Sequence, residues 1–335
     1  MSPLRLVRLY RTLLSLMLLL PFVTRAQERI VVAYVTSGAE DLPDMSLMTH
    51  INYAFGHVNK TFNGVRIQRP ERLREIAAAK GDVKVCLSVG GWGSGRFSEM
   101  AADEACRKSF VDSCLAIVEE FGLDGIDIDW EYPTSSAAGI SSSPEDTGNF
   151  TLLMRDLRAT LGKDRILTLA TAASARYIDF PAILPYVDFV NVMSYDMGRP
   201  PRHNAPLYPS RGISGRMTSD GAIKVHLAAG VPADKLVMGM PFYGHGKEGY
   251  NDYVDYKDLM PPLEGHHEVW DEDARVPYYA NAEGRLVLGF DNVRSIGEKC
   301  NYIIENGLLG AMYWEYNCDN ATKDLARTVA EKILK

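Results

Sequence analysis

No run of Lys and Arg occurs in the 335 residues, which carry 36 basic and 43 acidic side chains for a formal net charge of -7. A nucleic-acid groove needs clustered cations, so that class of partner is excluded, and a neutral ligand suits the surface better. No apolar stretch reaches the roughly 20 residues that cross a bilayer as a helix. Cysteine is scarce and odd in number: Cys86, Cys106, Cys114, Cys300 and Cys318 fit neither a zinc spacing nor CxxC. Cys86 lies in VKVCLSV and reads as a small core residue, while a disulfide between two of the others stays open for an oxidising compartment. No GxGxxG turn follows the first strand-like run, which removes the main argument for a doubly wound nucleotide-binding sheet.

Apolar residues are plentiful, at 46% of the chain, enough for a large core. The N-terminus stands apart from it. MSPLRLVRLYR carries Arg5, Arg8 and Arg11, TLLSLMLLLPFV is apolar, and TRAQ offers Ala26 before a cleavage point. That order is a secretory signal, so residues 1–26 are set aside and the mature chain is expected to be exported, secreted or periplasmic, with no membrane anchor. A monomer is expected.

Eight runs rich in Val, Ile, Tyr and Phe follow: 30–35, 50–58, 83–91, 123–132, 166–173, 187–196, 236–244 and 308–316. Helical stretches lie between them. PERLREIAAAKG has Pro70 at its start and Gly81 past its end. DEACRKSFVDSCLAIVEEFG spaces Phe110, Cys114 and Val118 four apart and stops at Gly122. Strand then helix, eight times, predicts an α/β (β/α)8 TIM barrel over residues 27–335. One connection is too long for a plain loop, and residues 246–290 are expected to form a short insertion subdomain between strand 7 and helix 7.

Residues 123–133, LDGIDIDWEYP, put four carboxylates into an apolar strand. Alternation places Asp127, Asp129 and Glu131 on one face and Ile126, Ile128 and Trp130 on the other. The apolar set suits packing on helices, so the acids face the barrel interior, where they repel and lose water. Asp127 and Asp129 can share protons. Glu131 sits nearest the strand's C-terminal end, where barrel enzymes keep their chemistry, and a carboxyl held protonated is a general acid. A calcium loop does not fit, because positions six and twelve from Asp127 are Tyr132 and Ala138. A magnesium or DxD-type site is the remaining bland rival.

DGIDIDWE resembles the DGxDxDxE signature of family 18 glycoside hydrolases, the chitinase-like barrels. LSVGG (87–91), NYAF (52–55), MSYD (193–196), MPFYG (240–244), FDNVRS (290–295) and MYW (312–314) resemble further family segments, over nearly all the mature chain. The resemblance implies hydrolysis of N-acetylglucosamine-containing oligo- or polysaccharide with no cofactor and no metal. It implies Glu131 as acid and base, Asp129 assisting it with Asp127 behind, and Tyr195 on the acetamido carbonyl. Met193 and Asp196 would line the same subsite over a floor of Trp314, with Ser88 and Asp124 either in support or structural. It also implies cis peptides at Ala54–Phe55, Glu131–Tyr132 and Trp314–Glu315.

Tyr34, Phe55, Trp92, Tyr243 and Trp314 fall near strand C-termini, where sugar rings could stack, whereas Tyr53 and Phe290 read as core. Ordinary retaining glycosidases need two carboxyls about 5–5.5 Å apart across the bond, and this family is an exception that uses the substrate's own acetamido oxygen. No second acidic cluster is visible here, so retention by substrate assistance is expected. The insertion, shorter than the full subdomain of many processive relatives, suggests an open groove and endo-type cleavage. The chain ends on a helix without a carbohydrate-binding module, which favours soluble chains as substrate. Two rivals stand: an endo-β-N-acetylglucosaminidase acting on N-glycans, and a glycan-binding lectin on an inactive barrel.

Overall fold

The computed structural model describes residues 28–38, 41–259 and 261–335, so the expected export segment lies outside the described residues. Eight parallel strands close into a barrel: β1 (Ile30–Thr36), β2 (His50–Val58), β4 (Lys84–Gly90), β5 (Gly125–Asp129), β6 (Ile166–Ala172), β7 (Phe189–Met193), β8 (Leu236–Pro241) and β14 (Gly310–Trp314). Closure comes from β1 pairing with both β2 and β14, and short β3 (Val65–Ile67) adds an antiparallel edge to β2.

Outside the barrel run helices α1 (Pro70–Ala79), α2 (Phe97–Ala102), α3 (Glu104–Phe121), α4 (Asp146–Leu161), α5 (Phe180–Ile183), α6 (Ser219–Ala228), α7 (Val293–Glu305) and α8 (Asp324–Ile333). Their ends follow local chemistry. The Asp103 side chain accepts from the Cys106 amide to start α3, and Gly122 ends it in a left-handed conformation. Asn292 and Ser295 form a reciprocal capping box on α7.

The strand–helix repeat is less regular than the sequence suggests. Between β1 and β2 the described residues form only a 3-10 turn, Met45–Leu47, and α5 is four residues long. The first connection contains Gly38 and Pro43, and Pro185 blocks extension of α5, so neither segment can sustain a helix.

The run expected as one strand, 236–244, breaks at Phe242. That residue is fully buried, its ring stacks on Tyr313 at 4.3 Å, and its amide donates to the Trp314 carbonyl. Past it the chain leaves the barrel and enters a second sheet, built of β9 (Tyr243–Gly246), β10 (Val254–Asp255), β11 (His267–Asp271), β12 (Val276–Ala280) and β13 (Leu286–Gly289). The order is β10-β9-β13-β12-β11, all antiparallel, around a small core of Tyr279, Val287, Leu288 and Phe290. All five cysteine thiols are free, so the disulfide left open by the sequence is not formed.

Candidate active site

The alternation along β5 holds. Ile126, Ile128 and Trp130 are buried on the helix side, where the Trp130 ring stacks on Phe97 at 5.3 Å. Asp127 and Asp129 are buried on the inner side, 0% and 3% exposed, with Glu131 just past the strand end. The neighbouring strand leaves room for them. At Gly90, φ is 137° and a Cβ would stand 1.9 Å from the Asp129 carbonyl oxygen, so only glycine fits beside β5 here. The Gly91 amide then donates to that same oxygen at 2.9 Å.

Asp127 is caged by four donors. Tyr34 and Ser88 hydroxyls donate to Oδ2, both at 2.8 Å, while Thr168 and Asn191 donate to Oδ1 at 2.6 and 3.2 Å. Burial still pushes its pKa up, against the pull of those hydrogen bonds. Asp129 is raised well above the usual carboxylate range by burial, then by the charges of Glu131 and Asp127, and its Oδ1 has no hydrogen-bond partner. Glu131 is pushed up to about 7, first by burial and further by the Asp196 charge, with a hydrogen bond from Tyr132 acting in the opposite sense. Burial therefore contributes more than the neighbouring acids on which the sequence argument leaned.

Asp196 follows β7 in a left-handed conformation, φ 55°. Its Oδ1 lies 2.7 Å from both the Tyr243 hydroxyl and His245 Nε2, and its amide donates to Asn204 Oδ1 at 2.8 Å. The other ring nitrogen of His245 faces the Asp252 carbonyl at 2.6 Å. Both nitrogens of this buried ring thus face oxygen atoms, which fixes its orientation between Asp196 and Asp252. Tyr195 is buried between Met312, whose sulfur is 3.8 Å from its hydroxyl, and the Tyr243 ring. Burial, Asp129 and Glu131 all hold its phenol protonated, hence a donor.

The Trp314 ring stacks on Phe55 at 5.4 Å with 19° between planes and leans on Tyr34 at 5.6 Å. Cis peptides occur at Ala54–Phe55, Glu131–Tyr132 and Trp314–Glu315. Trp92 is 66% exposed, 6.5 Å from the Tyr132 ring, which stacks on Tyr177 at 5.2 Å. Met193 ends β7, buried in the same apolar cluster as Tyr195 and next to Trp314.

Two expected positions need correction, and a third, Asp124, takes the structural one of its two readings. Tyr34 and Tyr243 are 1% and 2% exposed, so neither ring is free to stack on a sugar; their hydroxyls hold Asp127 and Asp196 instead. Asp124 precedes β5 at the far, N-terminal end of the strand, bound to Lys80 at 2.6 Å and to the Val85 amide, and supports the fold there. Ser88 does reach the site, through Asp127.

Sequence reasoning missed Thr168, Asn191, Tyr132, Tyr177, Asn204 and His245. Thr168 and Asn191 carried a signal, as isolated polar residues in apolar strands, and Tyr132 adjoins the acidic motif. His245 had none, because its partners lie 49 positions back and in the insertion. Among the described residues no group of three His, Cys, Asp or Glu could hold a metal ion.

Residues 30–319 match the sequence model of glycosyl hydrolases family 18. The chain belongs to that family. It is similar to chitinase A1 of Niallia circulans, 34% identical over 312 residues, covering 78% of this chain and 45% of the relative. Chitotriosidase-1 of Mus musculus is 31% identical over 324 residues, covering 83% of this chain and 68% of that protein. Among solved structures, a family 18 N-acetylglucosaminidase from Paenibacillus barengoltzii superposes with a TM-score of 0.83 at 33% identity, over 91% of this chain and 100% of the other. The Group IV chitinase of Ostrinia furnacalis also gives 0.83, at 26% identity, over 92% and 100%. The family 18 chain described here spans about half the length of the first curated relatives it matches.

Proposed function

We propose that this chain is a retaining glycoside hydrolase that cleaves β-1,4-linked N-acetylglucosamine glycans, chitin or chito-oligosaccharides, by substrate-assisted catalysis. The observation that carries the reading is Glu131 pushed up to about 7, at the mouth end of a strand whose next two inward acids are buried and raised as well. Such a carboxyl is protonated when substrate arrives and can give its proton to the leaving glycosidic oxygen.

The 2-acetamido oxygen of the sugar on the Trp314 side then bonds to the anomeric carbon as the glycosidic bond breaks, giving an oxazolinium ion. Asp129, its free Oδ1 available for the acetamido N–H, orients that group, and the charge left on Glu131 offsets that of the ring. The Tyr195 hydroxyl donates to the acetamido oxygen. Glu131, now ionised, takes a proton from the water that opens the ring, so configuration is retained. Asp127, held by its four donors, fixes the position of Asp129. Phe55, Met193, Asp196 and Trp314 form the sugar subsite, and Trp92 extends the cleft.

Residues 1–26 act as an export signal, and the mature monomer works outside the cytoplasm. Cleavage is endo-type, with the short five-stranded sheet as a low wall. The kinship with an N-acetylglucosaminidase of fully matching length favours a second mode, stepwise release of single sugars.

Mass spectrometry of products from N-acetylated chitotetraose and from a high-mannose glycoprotein, with wild type and Glu131→Gln, tests the reading. Tetramer cleavage abolished in the variant supports it. On longer N-acetylated chains, mixed product lengths first indicate endo cleavage, a series dominated by dimer from one chain end counts against it, and monomers first indicate the stepwise mode. Cleavage of the glycoprotein alone moves the enzyme to N-glycans, and cleavage of neither favours a lectin. NMR of initial products showing inversion would rule out the mechanism.

A further inference from the structure

Trp92 is the most exposed of the large apolar residues at the cleft, and it sits in a loop poorly suited to holding anything still. Residues 91–96 read GWGSGR, with three glycines in six positions, and Gly91 and Gly93 have φ of 91° and 78°. The loop is rooted at one end by the Gly91 amide on the Asp129 carbonyl, 2.9 Å. At the other it enters α2, whose Phe97 is stacked on Trp130. Between these anchors two side-chain bonds reach β2: Arg96 Nη1 donates to the Val58 carbonyl at 3.5 Å at the helix end of the loop, and His57 Nδ1 and Ser94 Oγ, 2.9 Å apart, hold its middle. His57 stands on β2 two residues past Phe55, on the same face, with ring centroids 6.2 Å apart. The Ser94 amide turns back to the Gly91 carbonyl at 2.9 Å, so the tether closes a tight turn directly around Trp92.

We infer that His57 is a positioning residue: through Ser94 it fixes the glycine-rich loop and so sets Trp92 as a stacking wall for sugar units beyond the one on Trp314. A free six-residue loop with three glycines would lose conformational entropy each time Trp92 closed on a ring, and the latch removes that loss before binding. His57 touches neither the acids of β5 nor the groups on Asp196, so its effect falls on affinity for longer chains. The inference rests on the glycoside hydrolase reading for its substrate, and its test includes a readout that needs none.

Hydrogen exchange followed by mass spectrometry supplies that readout. His57→Ala and Ser94→Ala should each speed exchange in the peptide covering 91–96 and leave β5 and β14 unchanged. Unchanged exchange in that peptide overturns the latch whether or not the protein cleaves anything. On N-acetylated chitotetraose, both variants should raise KM about three- to ten-fold, the scale of one weakened aromatic contact, with kcat within about two-fold. His57→Asn, whose amide places a hydrogen-bonding group where Nδ1 sits, should restore most of the affinity. In a Trp92→Ala background, His57→Ala should add nothing further. Additive effects of the two substitutions, or a loss in kcat with KM unchanged, would overturn the inference.

Discussion

Two regions of this barrel bury carboxylates out of water, and they treat them in opposite ways. At the start of α7, Asp291 is paired with Lys299 at 2.6 Å, the two side chains 1% and 0% exposed, and Ser295 donates to the same carboxyl. At the end of β5, Asp127, Asp129 and Glu131 are governed by burial, hydrogen bonds and one another, and all three are raised. A buried acid paired with a cation serves the fold. A buried acid given only neutral donors and other acids is driven toward its protonated form, which is chemically useful and costs stability.

The comparison can be broken at either region. Glu131→Gln should lower kcat by about a thousand-fold or more, measured on chitotetraose, because a general acid has no substitute in the site. The same variant should be more stable than wild type at pH 8. Glu131 titrates near 7 when folded against an ordinary 4.5, so the folded state binds its proton more tightly. Wild type therefore has its stability below pH 4.5 and loses it as pH rises through 7. Urea unfolding should show the variant ahead by about 1–3 kcal/mol at pH 8, with the gap closing toward pH 4.5.

Lys299→Met should do the reverse, costing about 3–5 kcal/mol in urea unfolding by stranding Asp291, with kcat little changed in the protein that remains folded. Adding Asp291→Leu should recover most of that loss; if it does not, the pair is more than a neutralised charge. A finer test is the alkaline limb of kcat, which should fall as pH passes through about 7 when Glu131 loses its proton. Asp196→Asn removes a charge that raises Glu131, so that limb should move to lower pH. The smallest effect belongs to His245→Gln, which keeps one hydrogen bond of two and should raise KM several-fold, about 1 kcal/mol.

Much of the fold was legible. The eight strand runs and the punctuated helices, Pro70 before one and Gly122 after another, predicted the barrel because local chemistry and global architecture agree at those places. The helices are less regular than the eight-fold repeat predicts, because Gly38, Pro43 and Pro185 interrupt two of the connections. The break at Phe242 was not legible, since a strand that changes sheets keeps its alternation and only the stacking on Tyr313 reveals it.

The sequence by itself determined that three acids share one inward face, because a strand's period of two leaves them no alternative. It also determined that Trp130 turns away from them. What only the tertiary structure decided is what surrounds each of those groups. Tyr34 became a hydrogen-bond donor to Asp127 instead of a sugar platform because β1 and β5 face each other across a filled barrel, 93 positions apart in the chain. His245 reached Asp196, and His57 reached the Trp92 loop, for the same reason: burial, charge and hydrogen-bond partners are properties of neighbours in space, and barrel closure chooses those neighbours across long sequence separations.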